Sequence, residues 1–208
     1  MRVLNSRSQL RAHSPLHQSG SRVCLAKASG VSGSDIPRSF EASVSQAAQA
    51  IRSSVFGDKR GKKKRVKSVR RLWVEIPTLD TSVDKTLYLT AEMIEALQSD
   101  GRTEASVIYG NDDYCKAAQK RFPSTRIVSI DDALDVPLDS RLLVFNPTAS
   151  DEGELFELLD DQWRGEVVLL FNPEFSDEFK EKQKAFISAF DTVYCFMPLA
   201  VKIFIQSE

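Results

Sequence analysis

The feature that most restricts the fold is a regular alternation that begins at Arg71. Short apolar runs, RLWVEI (71–76), ASVIYG (105–110), RIVSI (126–130), RLLVFNP (141–147), EVVLLFNP (166–173) and TVYCFMPL (192–199), read as strands. Between most of them stand stretches of helical period: LTAEMIEALQS (89–99), DYCKAAQKRF (113–122), DEGELFELLDDQW (151–163) and SDEFKEKQKAFISAF (176–190). The strand runs are apolar at successive positions rather than at alternate ones, which marks strands covered on both faces. Helical crossovers between them are what parallel strands require. The pattern predicts a three-layer α/β domain of Rossmann-like kind, with a mostly parallel sheet and right-handed crossovers. An earlier stretch, IPRSFEASVSQAAQAIRSSVFG (36–57), predicts one more helix. Pro37 and Ser39 suit its opening, Phe40, Val44, Ala47, Ala48, Ile51 and Val55 recur at three- and four-residue steps, and Gly57 closes it.

Charge divides the chain. The net value of −1 hides five basic and no acidic residues in 1–34, eleven basic against three acidic in 35–71, and twelve basic against twenty-six acidic in 72–208. Residues 1–34 are also rich in serine and lack the continuous apolar core of a secretory signal. Arg-rich, Ser-rich and acid-free is the description of an organellar transit peptide, and small residues around RVCLAKA (22–28) favour a plastid over a mitochondrion. The expected organisation is a transit or disordered segment (1–34), an N-terminal helix of the domain (35–57), a basic linker (58–71) and the α/β domain (72–208). No apolar run approaches the roughly 20 residues that cross a bilayer, so the expectation is a soluble or peripheral protein of the chloroplast stroma or thylakoid surface.

Much familiar chemistry is excluded. The two histidines, His13 and His17, both lie in the transit-like segment, so the remainder lacks Ser-His-Asp and Cys-His catalysis and His-ligated metal sites. Cys24, Cys115 and Cys195 show no C-x-x-C spacing, and the latter two read as small core residues. GDKRGKKKR (57–65) misses the phosphate-binding G-x-x-x-x-G-K-[ST] pattern by one position and follows no strand; G-x-G-x-x-G is absent. The acidic pairs Asp112/Asp113, Asp131/Asp132, Asp151/Glu152 and Asp177/Glu178 read as helix starts, where capping and the helix dipole favour them. No cofactor, metal or catalytic residue is expected, and an accessory role is favoured over an enzyme.

Binding candidates are few. LVFNP (143–147) and LLFNP (169–173) echo one another and place Asn146 and Asn172 at the carboxyl ends of two strands, facing the crevice where open α/β sheets take ligands. The same residues also serve as turn punctuation. Nine of the thirteen residues from Lys59 to Arg71 are basic, with Lys62, Lys63, Lys64 and Arg65 at the centre. This run reads as a solvated linker or as surface electrostatics toward a protein partner or an anionic membrane. The run itself contains no aromatic residue before Trp73, which argues against nucleic acid.

With these pieces in place the chain resembles the plant and cyanobacterial family called domain of unknown function nineteen-ninety-five. The resemblance rests on IPRSFEASVSQAAQA (36–50), RLWVEIPTLD (71–80), LLVFNPTAS (142–150) and VYCFMPL (193–199). It implies a plastid protein that acts by binding, in assembly or maintenance of photosynthetic complexes such as photosystem II, and it points to Arg71, Glu75 and Asn146 as first positions to test. A rival reading is a nucleotide- or small-metabolite-binding regulatory protein using the crevice near Asn146 and Asn172. By the same resemblance the basic link before RLWVEIP is lengthened here, and relatives continue with further strands beyond the last motif. The expectation is therefore a domain shortened at its C-terminus, with Val193–Phe196 at an exposed edge.

Overall fold

The structure is a computed structural model, and it describes residues 36–57, 69–76, 82–101 and 104–196. Helix α1 (Phe40–Phe56) precedes strand β1 (Arg70–Glu75), then α2 (Val83–Leu97), β2 (Ala105–Tyr109), α3 (Asp112–Arg121), β3 (Ile127–Ser129) and β4 (Arg141–Phe145). A 3-10 turn (Ala149–Asp151) runs into α4 (Glu152–Phe156) and a π-helical turn (Glu157–Gln162). β5 (Val167–Phe171), α5 (Asp177–Lys182), α6 (Lys184–Ser188) and β6 (Asp191–Cys195) complete it. As the sequence suggested, Ser39 caps α1, its hydroxyl accepting from the Ala42 N–H.

The six strands form one sheet in the order β3-β2-β4-β5-β1-β6, and every neighbouring pair is parallel. The expected mostly parallel sheet is, among the described residues, wholly parallel. Side chains alternate between two cores. Leu72, Val74, Val107, Tyr109, Leu143, Phe145, Leu169 and Phe171 meet α1, α2 and α3. Ile108, Leu142, Val144, Val168 and Leu170 meet the 130–138 segment, α4, α5 and α6. Every residue of β2, β4 and β5 is buried, which is why those runs carry no polar alternation. The connections from β1 and β2 run toward the β3 edge over the first face. Those from β3, β4 and β5 return toward the β6 edge over the second, the sorting that right-handed crossovers impose.

Several elements differ from the sequence reading. Helix α2 begins at Val83, well before Leu89, because its crossover must span β5 and β4 to carry the chain from β1 to β2. Thr90 is therefore an interior residue and not a cap; its hydroxyl donates to the Thr86 carbonyl at 2.8 Å and pairs with the Tyr109 hydroxyl. The 151–163 helix ends in a π turn, the Trp163 N–H reaching back to Leu158 O at 2.7 Å. The last helix breaks at Gln183 into α5 and α6, and Phe179 and Phe186 meet across the break with ring centroids 6.1 Å apart. Asp131 and Asp132 lie in a turn rather than a helix; Asp132 is held by the Ser129 hydroxyl at 2.9 Å. Arg70 and Arg71, the end of the basic run, belong to β1 itself. Arg70 donates to the carbonyls of Ser54 and Val55, closing the C-terminal end of α1.

Candidate functional site

The carboxyl end of the sheet is built by a threefold repetition. β2, β4 and β5 each end in an aromatic residue, and Tyr109, Phe145 and Phe171 stack side by side with centroids 5.5 and 4.4 Å apart. The next residues are Gly110, Asn146 and Asn172. Both asparagines adopt φ of 46°, a left-handed conformation that asparagine tolerates better than most side chains. Each turns by the same hydrogen bond to its neighbour strand: Asn146 N–H to Phe171 O and Asn172 N–H to Val74 O, both 2.9 Å.

Their side chains then diverge. Asn172 Oδ1 accepts from the Ile76 N–H at 2.8 Å, and its Nδ2 donates to Ile76 O at 2.9 Å. Val74 pairs with Phe171, and Ile76 lies two residues further. Because Phe145 pairs with Phe171 in turn, the position that faces Asn146 in the same way is Pro173. Proline has no N–H to offer. Asn146 Oδ1 accordingly lies buried without a donor.

Crevices open where neighbouring strands send their chains to opposite faces. In this sheet those places are β3/β2, β2/β4 and β5/β1. At β2/β4 the carboxylate of Asp151, 5% exposed, fills the gap and accepts from the Thr148 N–H (2.7 Å), the Thr148 hydroxyl (3.0 Å) and the Ser150 hydroxyl (3.3 Å). It lies so close to Gly110 that a Cβ there would stand 2.5 Å from Oδ2. At β5/β1 the Asn172 amide bridges to Ile76, and at β3/β2 the Ile130 N–H bonds to Tyr109 O at 3.0 Å. The sequence reading treated Asp151 only as a helix-start acid. Its T-x-x-D spacing from Thr148, a capping-box pattern, was the signal that could have singled it out.

Of the other candidates, Glu75 stands at this same end of the sheet. It is half-buried and accepts from Trp73 Nε1 at 2.7 Å and from the Cys195 thiol at 3.3 Å. Arg71 sits at the opposite end of β1. It donates to Leu159 O at 3.0 Å, a carbonyl in the π turn, and to Asp160 at 3.1 Å, and it lies over the rings of Phe186 and Phe190 at 5.4 and 5.8 Å. The structure thus brings Glu75, Asn146 and Asn172 to one end of the sheet and sets Arg71 apart. Lys62, Lys63, Lys64 and Arg65 lie outside the described residues, as does the 1–34 segment.

The chemistry available is restrained. Burial pushes the Tyr109 hydroxyl well above the usual tyrosine range, against the opposing Thr90 hydrogen bond. Burial, then the nearby Asp112 and Asp132, pushes the Cys115 thiol up as well. Both groups stay protonated at neutral pH, which makes neither a nucleophile. Among the described residues no cluster of three His, Cys, Asp or Glu is placed to hold a metal ion. No described helix is long and apolar enough to cross a membrane.

Comparison with known proteins gives one match. A family model described as a domain of unknown function, DUF1995, matches residues 37–206. No curated protein and no solved structure matches the chain.

Proposed function

The chain belongs to the family described as domain of unknown function DUF1995, and from that premise we propose that it is a plastid accessory protein acting by binding another protein. The role we infer is in assembly or maintenance of photosynthetic complexes, photosystem II first among them. The observation that carries the binding reading is the closure of the crevices from within. Asp151 fills the gap beside Gly110 and Asn172 bridges to Ile76, so these polar groups, Asn146 Oδ1 excepted, are engaged with the protein's own backbone and hydroxyls. Glu75 and Arg71 are likewise bonded internally.

The plastid address is supported by the acid-free, serine-rich segment 1–34. The basic residues Lys62, Lys63, Lys64 and Arg65, joined to a body rich in Asp and Glu, would orient the protein on an anionic thylakoid surface or partner. The test is to recover the tagged, full-length protein from plant or algal cells, separating stroma from thylakoids at low and high salt. Salt-released thylakoid association with photosystem subunits supports the reading. A purely stromal protein without photosynthetic partners, or a protein absent from plastids, overturns it. Thermal stabilisation by a nucleotide or small metabolite, lost on Asn146→Ala, would instead favour a ligand-binding regulator.

A further inference from the structure

Away from the carboxyl end, a groove of about 430 Å³ runs between α2 and the end of α3, lined by Asp84, Leu87, Tyr88, Ala91, Arg121 and Phe122. Its floor is apolar and its walls carry opposite charge: Asp84 on the α2 side, Arg121 on the α3 side. Neither forms an ion pair among the described residues, although the neighbouring Lys85 binds Glu41 at 3.6 Å. Three large hydrophobic residues among those described are exposed, Ile36, Val83 and Tyr88; the last two belong to α2, and Tyr88 lines the groove. The helix dipoles favour these charges in sign, since Asp84 lies in the first turn of α2 and Arg121 in the last turn of α3. They do not explain why both face one apolar groove with no counter-ion among the described residues.

We propose that this groove is the contact surface for a second copy of the chain. A patch with an apolar centre, acid on one side and base on the other is self-complementary about a two-fold axis that runs along the groove. Rotation about that axis brings Arg121 of one copy opposite Asp84 of the other, and the reverse. The Tyr88 rings and the Leu87 and Phe122 side chains of both copies then cover one another. An apolar floor supplies the contact energy, and the two charge pairs set the register and reject other orientations.

The experiment measures the mass of the full-length protein in solution by light scattering and analytical ultracentrifugation, from nanomolar to high micromolar concentration. The parent protein should reach twice the monomer mass. Asp84→Arg makes both walls basic and Arg121→Asp makes both acidic, so each variant alone should lose association by tenfold or more. Mixed in equal amounts, the two variants should pair again, and a chain carrying both substitutions should recover self-association. Both positions are exposed, and a cooperative urea transition with an unchanged slope verifies that each variant folds. A parent protein that stays monomeric overturns the proposal. So does a dimer indifferent to the substitutions, or a pair of variants that fails to associate on mixing.

Discussion

The carboxamide of Asn172 holds both backbone groups of Ile76, accepting from its N–H at 2.8 Å and donating to its carbonyl at 2.9 Å. Asn146 repeats the backbone turn but faces Pro173, and its Oδ1 is left buried and unpaired. The two positions should therefore respond differently to one substitution. Asn172→Gly loses two hydrogen bonds and should destabilise the fold by about 1–3 kcal/mol. Asn146→Gly relieves a positive φ and removes an orphan acceptor, so stability should stay within about 1 kcal/mol of the parent. Urea midpoints at constant slope measure both. Equal losses would refute the distinction.

Gly110 is the point at which β2 meets the loop that closes the crevice. Gly110→Ala would drive a Cβ to 2.5 Å from Asp151 Oδ2 and 3.3 Å from Asn146 O. The carboxylate must then leave the Thr148 N–H, and a destabilisation of about 1–3 kcal/mol is expected. Limited proteolysis should show earlier cleavage near residues 148–153. An alanine variant as stable and as protease-resistant as the parent would show that the crevice is not filled as described.

Alkaline pH tests the buried Tyr109. Its hydroxyl titrates above its unfolded value because burial disfavours the phenolate. A raised pKa gives stability that is complete below the unfolded value of about 10 and declines as pH climbs from there toward the folded one. The unfolded chain releases that proton first. Stability should fall as pH rises above about 10, with one tyrosine ionising last in the absorbance titration. Tyr109→Phe should remove that late step while losing the hydrogen bond to Thr90.

The thiols should separate by reactivity. Cys115 is 4% exposed and its thiol is pushed up by burial, whereas Cys195 is half-buried at the end of an edge strand. In a Cys24→Ser background, a thiol reagent at neutral pH should modify Cys195 well before Cys115, and both at equal rates after denaturation. Mass spectrometry of the labelled peptides decides the order. Simultaneous labelling in the native protein would mean that the α3 face of the core opens readily.

The strands were legible because a fully covered parallel strand leaves no polar alternation, and RLLVF and VVLLF are short runs stopped by Asn-Pro between helical stretches. The start of α2 was not. Its length follows from the distance between β1 and β2 in the sheet, a tertiary fact that Thr90 as a local cap signal contradicts. The π turn was hidden for a similar reason: its carbonyl at Leu159 is met by Arg71, a residue far away in sequence. At the site, the repeated FNP turns located the strand ends correctly. The opposite fates of Asn146 and Asn172 depended on what each faced across the sheet, and the Asp151–Gly110 contact joined two segments that no spacing rule connects.

The sheet order also governs how the chain is assembled in time. Among the described residues β1 is the first strand made, yet its neighbours β5 and β6 come from the last part of them. Its Leu72, Val74 and Ile76 can meet α1 and α2 early, but through most of synthesis its backbone has no strand to pair with on either side. Contacts of such long sequence separation are slow to form and expose apolar surface meanwhile. A ribosome-bound chain that still lacks residues 167–195 carries β1 without a neighbouring strand, and holding it soluble becomes work for a chaperone.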